Sequence, residues 1–278
     1  MEEQYQQALT KFIAWAEEET DIRTAYLVGS RAREDHPADA YGDMDLLLFS
    51  THPEKYLADN QWLAAMGKPL SSFVSKTANG DSEWLTLYQG GFQIDYVLYP
   101  ADAIYAHKRG SFHGRGIRLL VDKDGLGQRL IPDSFALRPA KPPVAMVYGQ
   151  VVQMFWFVCY YMGRQIARGE VWPAKMRETD QKSLLLVMME WHAHMVHGLD
   201  YDTWHAGRYL HEWLDEDIYR ALPQTFRGFE KRKSMAALLA TETLFHRLAK
   251  EVGEGYGFPH HAELAEFVLH WTETHLEK

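Results

Sequence analysis

The sequence contains one cysteine, Cys159, in 278 residues. That excludes an intrachain disulfide framework and a cluster of thiolate ligands around a metal. Positive charge is also in deficit: 29 Lys and Arg against 38 Asp and Glu leave a formal charge of −9. A nucleic-acid partner is therefore not expected, because neutralising phosphates needs a basic surface. The balance suits a cationic small molecule, or an ordinary acidic cytoplasmic protein. The start, Met1-Glu-Glu-Gln-Tyr5, lacks the basic and apolar stretches of a secretory signal. The apolar run from Val151 to Met162 is too short to span a bilayer and is closely followed by Arg164. A cytoplasmic, monomeric protein that engages no membrane is expected. The phosphate-loop pattern Gly-x4-Gly-Lys-Ser/Thr is missing, Gly114-Arg-Gly116 lacks the third glycine of a dinucleotide fingerprint, and no His-Glu-x-x-His occurs.

The sequence does offer an ordered series of elements. Residues 2–19 predict a helix with Ala8, Phe12, Trp15 and Ala16 on one stripe. Ile22 to Val28 predicts a strand that ends at Gly29-Ser30, and a second strand follows Gly42. Residues 53–66 predict a short helix. Trp84–Tyr88 and Phe92–Tyr99 predict a hairpin around Gly90-Gly91. Val121-Asp-Lys-Asp-Gly125 reads as a turn and lacks the downstream ligands of a calcium loop. The prolines 139, 142 and 143 mark a linker. Beyond it, helices are expected at about 144–168, 177–197, 206–214, 225–251 and 261–277. The fold class is α/β (α+β): a mixed-sheet domain over 1–138, then a helical domain over 139–278.

The chemistry-bearing residues gather in the first half. In the second strand Met44, Leu46 and Leu48 alternate with Asp43, Asp45 and Leu47, so period two places Asp43 and Asp45 on one face. Asp95 lies in another apolar run, Phe92 to Tyr99. Hard carboxylate oxygens are what Mg²⁺ prefers, with room left for water and phosphate. Asp43 and Asp45 can hold one Mg²⁺ or help bridge two, and Asp95 completes the set. The Gly29-Ser30 turn, with Arg31, can face the phosphates of a nucleoside triphosphate. Such a site allows a substrate hydroxyl to attack the α-phosphorus and pyrophosphate to leave. Asp95 can accept the hydroxyl proton, bind metal, or do both. Unpaired and buried, three such acids would be costly.

These residues resemble the streptomycin (aminoglycoside) 6-adenylyltransferases, within the nucleotidyltransferase superfamily. The superfamily pattern maps onto Gly29, Ser30, Asp43, Asp45 and Asp95. The narrower likeness runs through Leu27–Arg31, Ile94–Pro100, Leu120–Gly125, Phe155-Trp156, Leu184–Trp191 and Gly207-Arg-Tyr-Leu210. It implies ATP and Mg²⁺, AMP transfer to a hydroxyl of streptomycin, and a nucleotidyltransferase domain followed by a helical domain with the substrates between them. The turn continues Arg31-Ala-Arg33-Glu34 here, without the family's usual Asn, and Arg208 stands where Lys is usual; Arg208 is a candidate phosphate contact. A lincosamide or another hydroxylated metabolite is the alternative acceptor, and a nucleotide-binding regulator without chemistry is the alternative function.

Other candidates are less specific. Glu190 in an apolar helix and Asp81 and Glu83 before the hairpin are candidate acceptor contacts. Arg164, Lys175, Arg177 and Lys182 are candidate triphosphate contacts. His192, His194 and His197 do not share one helix face and read as structural rather than as a metal site. The aromatic run Phe155-Trp156-Phe157 with Tyr160 and Tyr161 reads first as a buried helix.

Overall fold

The computed structural model describes residues 2–107, 115–135, 139–259 and 262–276. The chain divides into two compact units, Met1–Leu137 and Arg138–Lys278. Among the described residues no helix is long and apolar enough to cross a membrane.

The first unit opens with α1 (Glu2–Glu18) and β1 (Ile22–Val28), which runs into a single 3-10 turn, Gly29–Arg31. Then come β2 (Met44–Ser50), α2 (Pro53–Ala58), β3 (Pro69–Lys76), β4 (Ser82–Tyr88), β5 (Gln93–Pro100), α3 (Ala103–Ala106) and β6 (Ile117–Asp122). The six strands form one sheet in the order β3-β4-β5-β2-β1-β6. Only β2 and β5 run parallel; the other neighbours are antiparallel.

Alternation sorts the sheet into two cores. On one face Phe12 and Ala16 of α1 pack with Ala25, Leu27, Met44, Leu46, Leu48, Ile94 and Tyr96. On the other, Tyr26, Val28, Leu47, Phe49, Val97 and Tyr99 pack with Ile104 and Ile117. Central strands covered on both sides read as nearly continuous apolar runs. Asp45 and Asp95 are the interruptions, and each has the parity of the second face.

Two strands escape the sequence patterns. β3 is an edge strand whose residues are mostly exposed, so it carries no apolar alternation. β6 precedes the turn at Gly125, and its Asp122 carboxylate accepts from the Leu126 and Gly127 amides. The helix expected over 53–66 stops at Ala58, and a 3-10 turn, Gln61–Ala65, follows.

The second unit is helical: α4 (Ala145–Ala167), α5 (Val171–Met176), α6 (Glu178–His197), α7 (Leu210–Trp213), α8 (Glu216–Ala221), α9 (Lys231–Tyr256) and α10 (Ala262–Leu276). Phe155 and Trp156 are buried against Phe245, whereas Phe157 is exposed. The helix expected over 206–214 shrinks to α7. Before it, Trp204, Ala206 and Tyr209 all take positive φ, a conformation that no continuous helix contains. The helix expected from Thr225 starts at Lys231, because residues 222–225 form a 3-10 turn and 226–230 are irregular.

Candidate active site

The site grows from two strand ends and one glycine turn. Asp45 stands opposite Val28 on β1 and directly beside Asp95 across the parallel β2–β5 pair. Asp43 lies one residue before β2 begins. Asp43, Asp45 and Asp95 each offer a carboxylate oxygen within 4.8 Å of the others, and all three residues are half-buried.

Gly29 makes this convergence possible. Its φ is +73°, and a Cβ there would come well under 3.0 Å from Asp45 Oδ2. Only glycine lets the turn lie against that carboxylate. Ser30 follows in the turn, and its carbonyl accepts from the Ala38 amide at 2.9 Å. The loop returning to β2 is closed by Asp39, whose carboxylate accepts from the amides of Tyr41 (2.8 Å) and Gly42 (3.0 Å).

Burial pushes the Asp95 carboxyl up to about 6. The negative charges of Asp43 and Glu83 push the same way, while a hydrogen bond from Gln93 Nε2 (2.9 Å) opposes them. A group of closely spaced acids held partly out of water is unfavourable without a cation. The donor set is all oxygen, so it fits a hard divalent ion such as Mg²⁺. Gln93 was not singled out from the sequence. It lies two residues before Asp95 on the same strand, and period two alone puts the two side chains on one face.

Arg31 is engaged by neighbouring protein groups. Its guanidinium donates to the carbonyls of Asp43 and Gly42 and to the Glu2 carboxylate, and it lies over the Tyr5 ring. Asp81 sits in the β3–β4 turn, where its Oδ2 accepts from Tyr99 Oη at 2.9 Å. Glu83 shares the Asp95 face of the sheet, opposite Val97. Burial first, and the charge of Asp81 second, raise its carboxyl above the usual range.

The remaining candidates lie in the helical unit. Glu190 is half-buried on α6, and burial raises its carboxyl. Arg208 is exposed beside the strained turn, and its carbonyl accepts from Trp213 Nε1. The four candidate triphosphate contacts have local partners. Lys175 pairs with Glu178, Arg177 with Asp180, Lys182 donates to Thr241, and Arg164 lies over Tyr160. The histidines are structural: His192 meets Glu251, His194 the Tyr201 carbonyl, and His197 Asp215.

The streptomycin adenylyltransferase family model matches residues 2–275. An aminoglycoside 6-adenylyltransferase of Bacillus subtilis (strain 168) is 25% identical over 273 residues, covering 93% of this chain and 94% of that one. One from Staphylococcus aureus is 22% identical, covering 91% and 92%. The crystal structure of an aminoglycoside 6-adenyltransferase from Bacillus subtilis aligns with a TM-score of 0.45 at 20% identity, over 95% of both chains. With the matched region spanning nearly its whole length, the chain belongs to the streptomycin adenylyltransferase family, within the nucleotidyltransferase superfamily.

Proposed function

We propose that the protein is an ATP-dependent adenylyltransferase that moves AMP to a hydroxyl of an aminoglycoside, with the 6-position of streptomycin as the preferred acceptor. The observation that carries this reading is the convergence of Asp43, Asp45 and Asp95 beside the Gly29-Ser30 turn, in a chain of this family.

Asp43 and Asp45 would hold Mg²⁺, with Asp95 as the third ligand of a site that takes up to two ions. When bound, the metal supplies charge neutralisation for the triphosphate and for the departing pyrophosphate. The protein's own residues do the rest. The Gly29-Ser30 turn receives phosphate oxygens. The acceptor oxygen forms a bond to the α-phosphorus as the bond to pyrophosphate breaks, and Asp95 receives the hydroxyl proton. In the metal-free site the Asp95 carboxyl, raised to about 6, is still largely ionised at neutral pH, so it is available as a ligand and as a proton acceptor. Glu83 and Asp81, on or near the same sheet face, would receive cationic groups of the acceptor.

The test is Mg²⁺-dependent pyrophosphate release from ATP with streptomycin, other aminoglycosides and lincosamides, joined to product mass. A product heavier by one AMP on streptomycin is expected. AMP found only on a lincosamide or another compound would overturn the acceptor, and no transfer to any acceptor would overturn the activity.

A further inference from the structure

We infer that Arg31 is a positioning residue that holds Asp43 in the metal site, rather than a contact to the nucleotide. The inference rests on the proposed metal-dependent transfer. Asp43 precedes the first residue of β2 and lies outside the paired register of the sheet. The loop between the Gly29 turn and β2 must deliver it, and one guanidinium grips the end of that loop.

Arg31 Nε donates to the Asp43 carbonyl at 3.0 Å, and one terminal nitrogen donates to the Gly42 carbonyl at 2.7 Å. The same nitrogen reaches the Asp39 carbonyl more weakly at 3.4 Å. The other terminal nitrogen meets Glu2 Oε2 at 2.9 Å. The guanidinium carbon lies over the Tyr5 ring, 3.4 Å from its centroid. The Arg31 side chain is 7% exposed. Its donors are thus spent on the backbone and on α1, and a planar fork of this kind has no equivalent in lysine.

The arrangement links three parts of the fold. Gly29 sets the turn against Asp45, Arg31 two residues later fixes the backbone of Asp43, and Tyr5 and Glu2 of α1 fix Arg31. Tyr5 also extends to the third acid: its hydroxyl accepts from the Gln93 amide at 3.2 Å, and the Gln93 side chain orients Asp95. Groups that orient metal ligands commonly govern affinity by about 10–100-fold.

The experiment measures Mn²⁺ binding to the full chain by electron paramagnetic resonance, and metal-free ATP binding by calorimetry. The proteins are wild type, Arg31→Lys and, as a control, Arg23→Lys, whose arginine pairs with Asp124 away from the site. Arg31→Lys is expected to weaken Mn²⁺ by about 10-fold or more and to leave metal-free ATP binding unchanged; Arg23→Lys should change neither. Unaltered Mn²⁺ affinity in Arg31→Lys would overturn the inference, as would an equal loss of metal-free ATP binding. If Arg31→Lys does not fold by circular dichroism, Arg31→Gln, which keeps a donor for the Asp43 carbonyl, takes its place under the same criteria. Wild-type protein that binds Mn²⁺ but transfers no AMP would refute the proposed activity while leaving the positioning role standing.

Discussion

Replacing Gly29 with alanine separates backbone strain from displacement of the site. Two costs arise at this position. The first is conformational: a residue with a Cβ held at φ +73° loses about 1–2 kcal/mol. The second is local. The new methyl would overlap Asp45 Oδ2, and relieving the overlap requires the carboxylate to retreat by about 1 Å, a misplacement that costs on the order of 100-fold in rate. That loss corresponds to about 2.7 kcal/mol of transition-state stabilisation. Gly80 supplies the control. It holds φ +88°, and a methyl added there would meet nothing within 4 Å, so Gly80→Ala carries the strain without the overlap. Thermal denaturation and pyrophosphate release are measured on both variants. Both should lose similar stability, whereas only Gly29→Ala should lose activity and Mn²⁺ affinity. Equal activity in the two variants would show that the close approach of the turn to Asp45 has no part in the chemistry.

Asp45→Asn should abolish detectable Mn²⁺ binding and lower adenylyl transfer by at least about 100-fold, with the circular dichroism spectrum unchanged; undiminished pyrophosphate release would refute its metal role. Protonation of Asp95 competes with the metal, so Mn²⁺ affinity should fall as pH drops through about 6 and level off above 7. An affinity that stays flat from pH 5 to 8 would contradict this. A third test lies in the helical unit, where Glu242 is fully buried and burial raises its carboxyl well above the usual range. Its favourable contribution belongs below the unfolded value near 4.5 and is lost as pH rises. Glu242→Gln should therefore gain stability relative to wild type by up to about 1.4 kcal/mol per pH unit above that value. A stability difference that does not change between pH 5 and 8 would count against this.

Much of the architecture is legible in local patterns. The periodicity of α1, the limits of β1, the glycine hairpin between β4 and β5, and the helical second half all follow from burial on one or two faces. The elements that escaped are those whose stability is not local. β3 survives as an exposed edge because β4 supplies its hydrogen bonds. The turn at 204–209 keeps four positive φ values in a stretch whose composition suggests helix.

By itself the sequence determined the identity of the three acids, an expectation that Asp43 and Asp45 share a face, and a Gly-Ser turn after the first strand. These are properties of neighbouring residues and of a two-residue repeat. That Asp43 stands just before β2 and that the turn needs glycine against Asp45 came from the structure. Only the tertiary structure decided that Asp95 stands beside Asp45, because β2 and β5 pair in parallel although β3 and β4 lie between them in the chain. It also decided where Arg31 points. A guanidinium after a Gly-Ser turn suggests a phosphate, but the carbonyls of Gly42 and Asp43 and the ring of Tyr5 reach it first, brought there by the packing of α1 on the sheet.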